Sequence, residues 1–126
     1  MIIDTSVLVD IDRGENIERT DRVDAEWYGI SAATLMELRT GKYRNDVQEE
    51  EFLKIEENLE ILNINPDIAD EAGKILAELM QKGERIGIND IYIAATARMN
   101  GEKVLTADLQ DFRKVTDLEL VDWNEI

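Results

Sequence analysis

Short apolar runs alternate with helical patterns along nearly the whole chain, and this alternation limits the fold more than any other feature of the sequence. Runs of strand length occur at residues 1–3, 27–30, 59–64, 103–106 and 118–121. Strands separated by helices are typical of α/β proteins, in which crossover helices leave the strands parallel. We therefore predict an α/β fold with a mainly parallel sheet. We find no linker, repeat or low-complexity segment, so we expect a single domain over residues 1–126.

Local signals indicate where the helices begin. Thr5 or Ser6 can cap the first helix, and Ser31 can cap a later one. Asn65 and the proline after it open another, because a first turn tolerates proline. A helix starting at Asp90 is apolar nearly all round, so we expect it to be buried. Helices are predicted over residues 7–14, 16–24, 32–44, 46–58, 66–83, 90–99 and 109–114.

The composition excludes several kinds of active site. The chain has no cysteine and no histidine, which excludes thiolate and histidine metal sites, cysteine nucleophiles and triads with a histidine base. Proton transfer is left to carboxylates, lysine, tyrosine or a metal-bound water. The sequence shows no signal peptide, and no apolar run approaches the roughly 20 residues that span a bilayer. We therefore expect a cytoplasmic protein without a membrane partner.

The chain is strongly acidic, with 29 acidic residues against 14 basic ones and a net charge of −15. Residues 46–60 alone contain seven acids and one lysine. Proteins that bind nucleic acids usually carry a basic surface, so this balance conflicts with RNA binding. A solvated acidic surface is the simplest explanation, although a cationic partner could also use the charge.

Four acidic residues occupy positions where a parallel sheet could bring them together. Asp4 and Asp108 directly follow predicted strands. Glu37 lies among small residues in a helix that follows a strand, and Asp90 begins a helix, where the dipole favours a carboxylate. Singly, each has an ordinary explanation as a turn residue, a helix cap or a surface acid. Together they would meet beyond the carboxyl ends of the strands, where open parallel sheets bind ligands.

Convergence of these four acids would have a chemical consequence. Carboxylates close together cannot all stay ionised at neutral pH unless a cation binds or some take up protons. Oxygen ligands with room for water suit Mg²⁺ or Mn²⁺, and such an ion can activate water for attack on a phosphodiester. We therefore predict a divalent-metal site that can hydrolyse phosphodiester bonds.

Three segments of the sequence carry a family resemblance. MIIDTSVLVD, ISAATLMELRTG and INDIYIAATARMNGEKVLTADLQDF resemble the successive motifs of PIN-domain ribonucleases, in particular VapC-type toxins of toxin–antitoxin pairs. The resemblance runs from Met1 to about Trp123. It implies a three-layer α/β/α sandwich and Mg²⁺- or Mn²⁺-dependent endoribonuclease activity in a type II toxin–antitoxin system. It also implies an RNA substrate, a protein antitoxin and a homodimer, for which Ile55 or Tyr43 could provide apolar contacts.

The resemblance also implies roles for individual residues. The catalytic acids would be Asp4, Glu37, Asp90 and Asp108. Ser6 and Thr106 would be small polar residues that support them. Many relatives have asparagine where this chain has Asp108 and an acid where it has Asp111, so the fourth acid stays open between these two. The candidate metal ligands are Asp4, Asp90, Asp108 and Asp111.

Cations are scarce on the face where this family would bind RNA. The candidates for RNA contacts are Arg13, Lys42, Arg44 and Arg85, with Lys82 and Arg98 as further possibilities. Scattered solubilising charge explains each of them equally well. Two other hypotheses remain: a magnesium-binding phospho-receiver-like signalling domain, and a PIN-fold binding protein that has lost catalysis. The first strand ends in one acid rather than an adjacent pair, which disfavours the receiver.

Overall fold

The structure, a computed structural model, describes residues 1–44 and 57–126. In these ranges the strands are β1 (Ile2–Ile3), β2 (Gly29–Ser31), β3 (Glu60–Leu62), β4 (Val104–Thr106) and β5 (Leu120–Asp122). The α-helices are α1 (Thr5–Asp12), α2 (Ala32–Tyr43), α3 (Pro66–Gln81), α4 (Ile88–Asn100) and α5 (Leu109–Phe112). Short 3-10 helices cover Ile17–Arg22 and Trp123–Glu125. The predicted helix over residues 46–58 falls almost entirely outside the described residues.

The five strands form one sheet in the order β3-β2-β1-β4-β5, and every pair of neighbours is parallel. The predicted α/β fold with a parallel sheet is therefore confirmed. The chain extends the sheet from β1 through β2 and β3, and then returns to add β4 and β5 on the other side. The strand order thus reverses at β1. The carboxyl ends of β1 and β4 form the crevice in which such sheets bind ligands.

Each face of the sheet has its own hydrophobic core. Ile2 and Val104 belong to a core shared with α3 and α4, whereas Ile3 and Leu105 belong to a second core on the opposite face. Successive side chains alternate along a strand, so neighbouring residues enter different cores. The second core also contains Val7, Leu8, Leu38 and Trp123. Helices therefore cover both faces, which gives the expected three-layer α/β/α sandwich.

Two helices begin at the predicted side-chain caps. Ser31 accepts a hydrogen bond from the Ala33 N–H at the start of α2, and Asn65 accepts one from the Ile68 N–H at the start of α3. Helix α4 is buried as expected along the run from residue 93 to residue 97. Within the described ranges, no helix is long and apolar enough to cross a bilayer. The cytoplasmic location stays a prediction.

Two other helix starts differ from the prediction, and both lie next to acidic residues. The N-cap of α1 is Asp4 and not Thr5 or Ser6, whose hydroxyls donate to carboxylates instead. Asp4 itself makes no capping hydrogen bond. Helix α4 begins two residues before Asp90, with Gly87 as its N-cap. Asp90 therefore lies inside the first turn and is not the cap of this helix.

Gly29 of β2 is expected to be intolerant of a side chain. An added Cβ would lie 2.5 Å from Cη2 of Trp27 and 3.3 Å from the carbonyl oxygen of Glu60. The Trp27 ring is held in place because its Nε1 donates to Glu60 Oε2 at 2.6 Å. We expect Gly29→Ala to lower the free energy of unfolding by about 1–3 kcal/mol. The control Gly73→Ala, in an open position of α3, should raise it by about 0.5–1 kcal/mol; urea denaturation of both variants measures the difference.

Candidate active site

The first acid of the site is fixed at the carboxyl end of the central strand. Asp4 follows β1 directly and is only 5% exposed. Its N–H donates to the carbonyl of Leu105 in β4 at 2.9 Å. One carboxylate oxygen, Oδ2, accepts hydrogen bonds from Ser6 Oγ at 2.6 Å and Thr106 Oγ1 at 2.8 Å. These two hydroxyls hold the orientation of the carboxylate, and no described residue donates to its other oxygen.

Ser6 and Thr106 also join the loop after β4 to the start of α1. Ser6 Oγ accepts a hydrogen bond from the N–H of Ala107 at 3.0 Å. Thr106 Oγ1 accepts one from the N–H of Asp108 at 2.9 Å. The two residues predicted to support the acids therefore lie against Asp4 and fix the backbone that leads to Asp108.

Thr106 and Thr34 form a matched pair that measures what these hydrogen bonds contribute. Both side chains are fully buried, but Thr34 Oγ1 has no hydrogen-bond partner in the described part of the chain. Thr106→Val should lower the free energy of unfolding by about 1–3 kcal/mol, because it leaves a backbone N–H unpaired. Thr34→Val should be close to neutral or slightly stabilising. Equal losses of unfolding free energy in the two variants, measured by denaturant titration, would contradict the role assigned to the Thr106 hydrogen bonds.

Glu37 reaches the site from the middle of α2. Thr5 Oγ1, in the first turn of α1, donates to Glu37 Oε1 at 2.8 Å. Burial raises the pKa of Glu37, the Thr5 hydrogen bond opposes that rise, and the negative charge of Asp4 adds to it. Sequence analysis treated Thr5 only as a possible helix cap. Its contact with a helix 32 residues away leaves no signal in local sequence spacing.

Asp90 is the point at which the acidic residues converge. Burial has the largest effect on its pKa, followed in order by the charges of Asp4, Glu37, Asp111 and Asp108. Together they raise the pKa of Asp90 to about 7. Four carboxylates from distant parts of the chain thus act on a fifth. The structure therefore brings the predicted acids into one electrostatic cluster, although Asp90 lies in a first turn, where the helix dipole favours a carboxylate.

The two candidates for the fourth acid have different surroundings. Asp108 is the exposed N-cap residue of α5 and makes no capping hydrogen bond. Asp111 is half-buried, and its Oδ1 lies 3.5 Å from Lys114 Nζ. Asp111 affects the pKa of Asp90 more than Asp108 does. Both remain candidates, and Lys114 is a site neighbour that the sequence analysis did not single out.

A small divalent cation would have at most two of these acids as direct ligands. Within residues 1–44 and 57–126, no three acids are arranged so that they could ligate one ion together. Mg²⁺ is commonly held by one or two carboxylates and completes its octahedron with water and substrate oxygens, so this spacing is compatible with such an ion. Burial is the main cause of the raised pKa of Asp90, and the negative charges of the four other acids add to it.

The predicted RNA-binding cations are dispersed. Arg13 follows the far end of α1, a helix of 8 residues whose other end carries Asp4. Lys42 and Arg44 lie at the end of α2, whereas Arg85 belongs to the segment that leads into α4 and Asp90. Arg98, a further candidate, is held in the last turn of α4 by Glu71 at 2.8 Å and Glu78 at 3.5 Å.

A cavity of about 530 Å³ lies away from the acids. Its walls are mainly apolar side chains of the second core, including Val7, Leu8 and Trp123, and none of the five clustered acids lines it. Cavity volume alone would therefore select a region that contains none of the clustered acids. The convergent charges make the carboxyl edge of the sheet the candidate functional site.

Comparison with known proteins agrees with this geometry. The family model described as PIN domain matches residues 1–118. The chain belongs to the PIN domain family. This PIN domain is 32% identical over 127 residues to "Ribonuclease VapC2" of Haemophilus influenzae, an alignment that covers 97% of this chain and 96% of the relative. It is 31% identical over 112 residues to "tRNA(fMet)-specific endonuclease VapC" of Salmonella typhimurium, covering 86% and 85% of the two chains.

Solved structures with the same fold come from toxin–antitoxin complexes. VapBC2 of Rickettsia felis, bound to a DNA fragment from its promoter, contains a chain that matches this PIN domain with a TM-score of 0.83 at 25% identity. That match covers 97% of both chains. DNA-bound VapBC of Salmonella typhimurium also contains a chain that matches with a TM-score of 0.83, at 29% identity, over 97% of this chain and 96% of the other. The family expected from the sequence motifs is confirmed, and the receiver hypothesis is wrong.

Proposed function

We propose that this PIN domain is a metal-dependent endoribonuclease and the toxin component of a type II toxin–antitoxin system. The observation that carries the proposal is that four carboxylates lie around Asp90, whose pKa is raised to about 7 first by burial and then by their charges. A cluster of this kind is costly unless it binds a cation. The family match over residues 1–118 and the relatives named as ribonucleases support RNA as the substrate.

Asp4 and Asp90 would hold Mg²⁺ or Mn²⁺ directly, Asp108 or Asp111 would contact the ion through a bound water, and Glu37 would lie beside them. When bound, the ion would supply an activated water and would stabilise negative charge on the phosphate. Hydroxyl groups of the protein would orient the acids around the ion. Ser6 and Thr106 hold one oxygen of Asp4, which leaves the other available, and Thr5 holds one oxygen of Glu37.

The proposed partners are an RNA, a protein antitoxin and a second copy of this chain. The antitoxin follows from structural relatives that were solved as VapBC complexes. For the homodimer, the described residues offer Tyr43, 78% exposed, and Met36, 50% exposed, both on α2. Ile55, the other predicted dimer residue, lies outside the described part of the chain. Light scattering of the wild type and Tyr43→Ser measures whether α2 takes part.

The test is cleavage of a defined RNA by the purified chain. Because the Salmonella typhimurium relative is named as specific for tRNA(fMet), that tRNA is a suitable first substrate. We expect discrete fragments with Mn²⁺ or Mg²⁺, no fragments with EDTA, and recovery when excess metal is added. Binding of an antitoxin without cleavage under any of these conditions would favour the catalytically inactive alternative. Cleavage that resists EDTA would contradict the metal-dependent mechanism.

A further inference from the structure

Within residues 1–44 and 57–126, most cations have a hydrogen-bond, ion-pair or ring partner, and four have none. Arg13, Lys82, Arg85 and Arg113 are exposed, and their side chains make no hydrogen bond or ion pair with any described residue. Other cations are paired with carboxylates, namely Lys74, Arg98, Lys103 and Lys114. In a chain with 29 acids and a net charge of −15, a cation without an acidic neighbour leaves its charge available to a ligand.

Two of these four cations, Arg85 and Arg113, lie in segments next to the acidic site, and Lys82 lies three residues before Arg85. Lys114 Nζ donates to the carbonyl oxygen of Arg85 at 3.0 Å, and the same atom lies 3.5 Å from Asp111 Oδ1. This contact ties the segment between α3 and α4 to the turn after α5, where Arg113 is the C-cap. We call Lys82, Arg85 and Arg113 the cationic rim. Arg13, the fourth cation, follows the opposite end of α1.

The charges on the rim are not equally available. The hydrogen bond from Thr116 lowers the pKa of Glu78, and the positive charge of Lys82 contributes to the same effect, so part of the Lys82 charge already acts within the protein. Lys114 is shared between Glu84 at 3.7 Å and Asp111 at 3.5 Å. Arg85 and Arg113 therefore carry most of the free charge. Their planar guanidinium groups can donate two hydrogen bonds to one phosphate.

We propose that the cationic rim binds backbone phosphates of the RNA strand next to the bond that is cleaved. This inference rests on the proposed nuclease function and specifies which side of the site the substrate strand occupies. Phosphate contacts orient a strand without reading its bases. A local group of free cations also explains how a strongly acidic chain can hold RNA, because screening in physiological salt limits repulsion from acids more than about 8 Å away.

The test compares two double variants with the same change in net charge. Arg85→Gln with Arg113→Gln removes the two free charges of the rim. Lys74→Gln with Lys103→Gln removes two exposed charges away from the acidic site, since Lys74 pairs with Asp70 within α3 and Lys103 immediately precedes β4. Binding of a fluorescein-labelled single-stranded RNA is followed by anisotropy in EDTA over a range of salt concentrations, with a gel to verify that the RNA stays intact.

We expect the rim variant to bind RNA about 10-fold more weakly and to reduce the slope of log K against log salt by about 1.4, or about 0.7 for each lost phosphate contact. The control variant should stay within about 2-fold of the wild type. In single-turnover cleavage with Mn²⁺, the rim variant should need more enzyme to reach half-maximal rate but keep its maximal rate.

Equal losses in both double variants, or no loss in the rim variant, would overturn the assignment of the rim. If the wild type cleaves RNA but the rim variant binds as well as the wild type, the strand lies elsewhere and the nuclease function stands. If the wild type cleaves no RNA with any divalent cation, the proposed function itself fails.

Discussion

Asp4→Asn and Asp90→Asn should each reduce RNA cleavage by about 100- to 1,000-fold while the protein stays folded. Each substitution removes one negative charge and one strong oxygen ligand from the cluster, and a bound cation contributes several kcal/mol to the reaction. Asparagine keeps the shape of both side chains, and at Asp4 it keeps an oxygen that can accept from Ser6 or Thr106. The measurement is single-turnover cleavage at saturating Mn²⁺, with far-UV circular dichroism to verify the fold.

The matched control is Asp117→Asn, which makes the same chemical change near the opposite edge of the sheet. Asp117 is exposed and has a φ of 53°, a backbone conformation that asparagine tolerates well. The cleavage rate of Asp117→Asn should stay within about 2-fold of that of the wild type. The pair Asp108→Asn and Asp111→Asn then decides the fourth acid, because the residue that ligates metal should show the larger rise in the Mn²⁺ concentration needed for cleavage. Wild-type rates in Asp4→Asn and Asp90→Asn would refute the site.

Asp90 should also destabilise the metal-free protein at neutral and alkaline pH. Its pKa rises from 3.8 in an unperturbed aspartate to about 7 in the folded protein, chiefly through burial and then through neighbouring acids. Between these two values the folded state binds more protons than the unfolded state, so this group's contribution to stability falls as pH rises from about 4 to about 7. Asp90 is half-buried and water screens the charges around it, so we expect a loss of about 1–2 kcal/mol.

Asp90→Asn isolates this effect from the titration of the other acids. In EDTA, the variant and the wild type should have similar unfolding free energies near pH 4, and the variant should be more stable by about 1–2 kcal/mol at pH 8. Saturating Mn²⁺ should stabilise the wild type at pH 8 and the variant much less, because only a protein with a complete site gains from ligand binding. Urea titrations at several pH values measure both differences. If the difference in unfolding free energy between Asp90→Asn and the wild type did not change with pH, Asp90 would not titrate in this range.

The fold could be predicted because its signals are local or periodic. The alternation of apolar runs with helical patterns predicted the parallel sheet, and the caps at Ser31 and Asn65 form as expected. The helix start near Asp90 was misplaced by two residues, because the N-cap is Gly87, a residue without a side chain that could signal the cap. Local signals thus give the type of each element more reliably than its first residue.

The site could be predicted only as a set of residue types. Asp4 and Asp108 could be expected close together because strand ends of a parallel sheet meet at one edge, and Asp90 because it lies at a helix start. By contrast, the Thr5 to Glu37 hydrogen bond and the contact of Lys114 with the Arg85 carbonyl join segments that have no common pattern. The sequence therefore indicated the acids and the supporting hydroxyls of Ser6 and Thr106, but not the contacts of Thr5 and Lys114.

The sequence by itself determined which chemistry is available, namely carboxylates without histidine or cysteine, and the order of strands and helices that carries them. Only the tertiary structure decided that Asp90 lies within the fields of four other acids, and that free cations lie on one side of this cluster. The physical reason is that electrostatic interactions depend on distance through space and on burial. Both are set by the packing of helices on the sheet, which no single segment of the chain specifies.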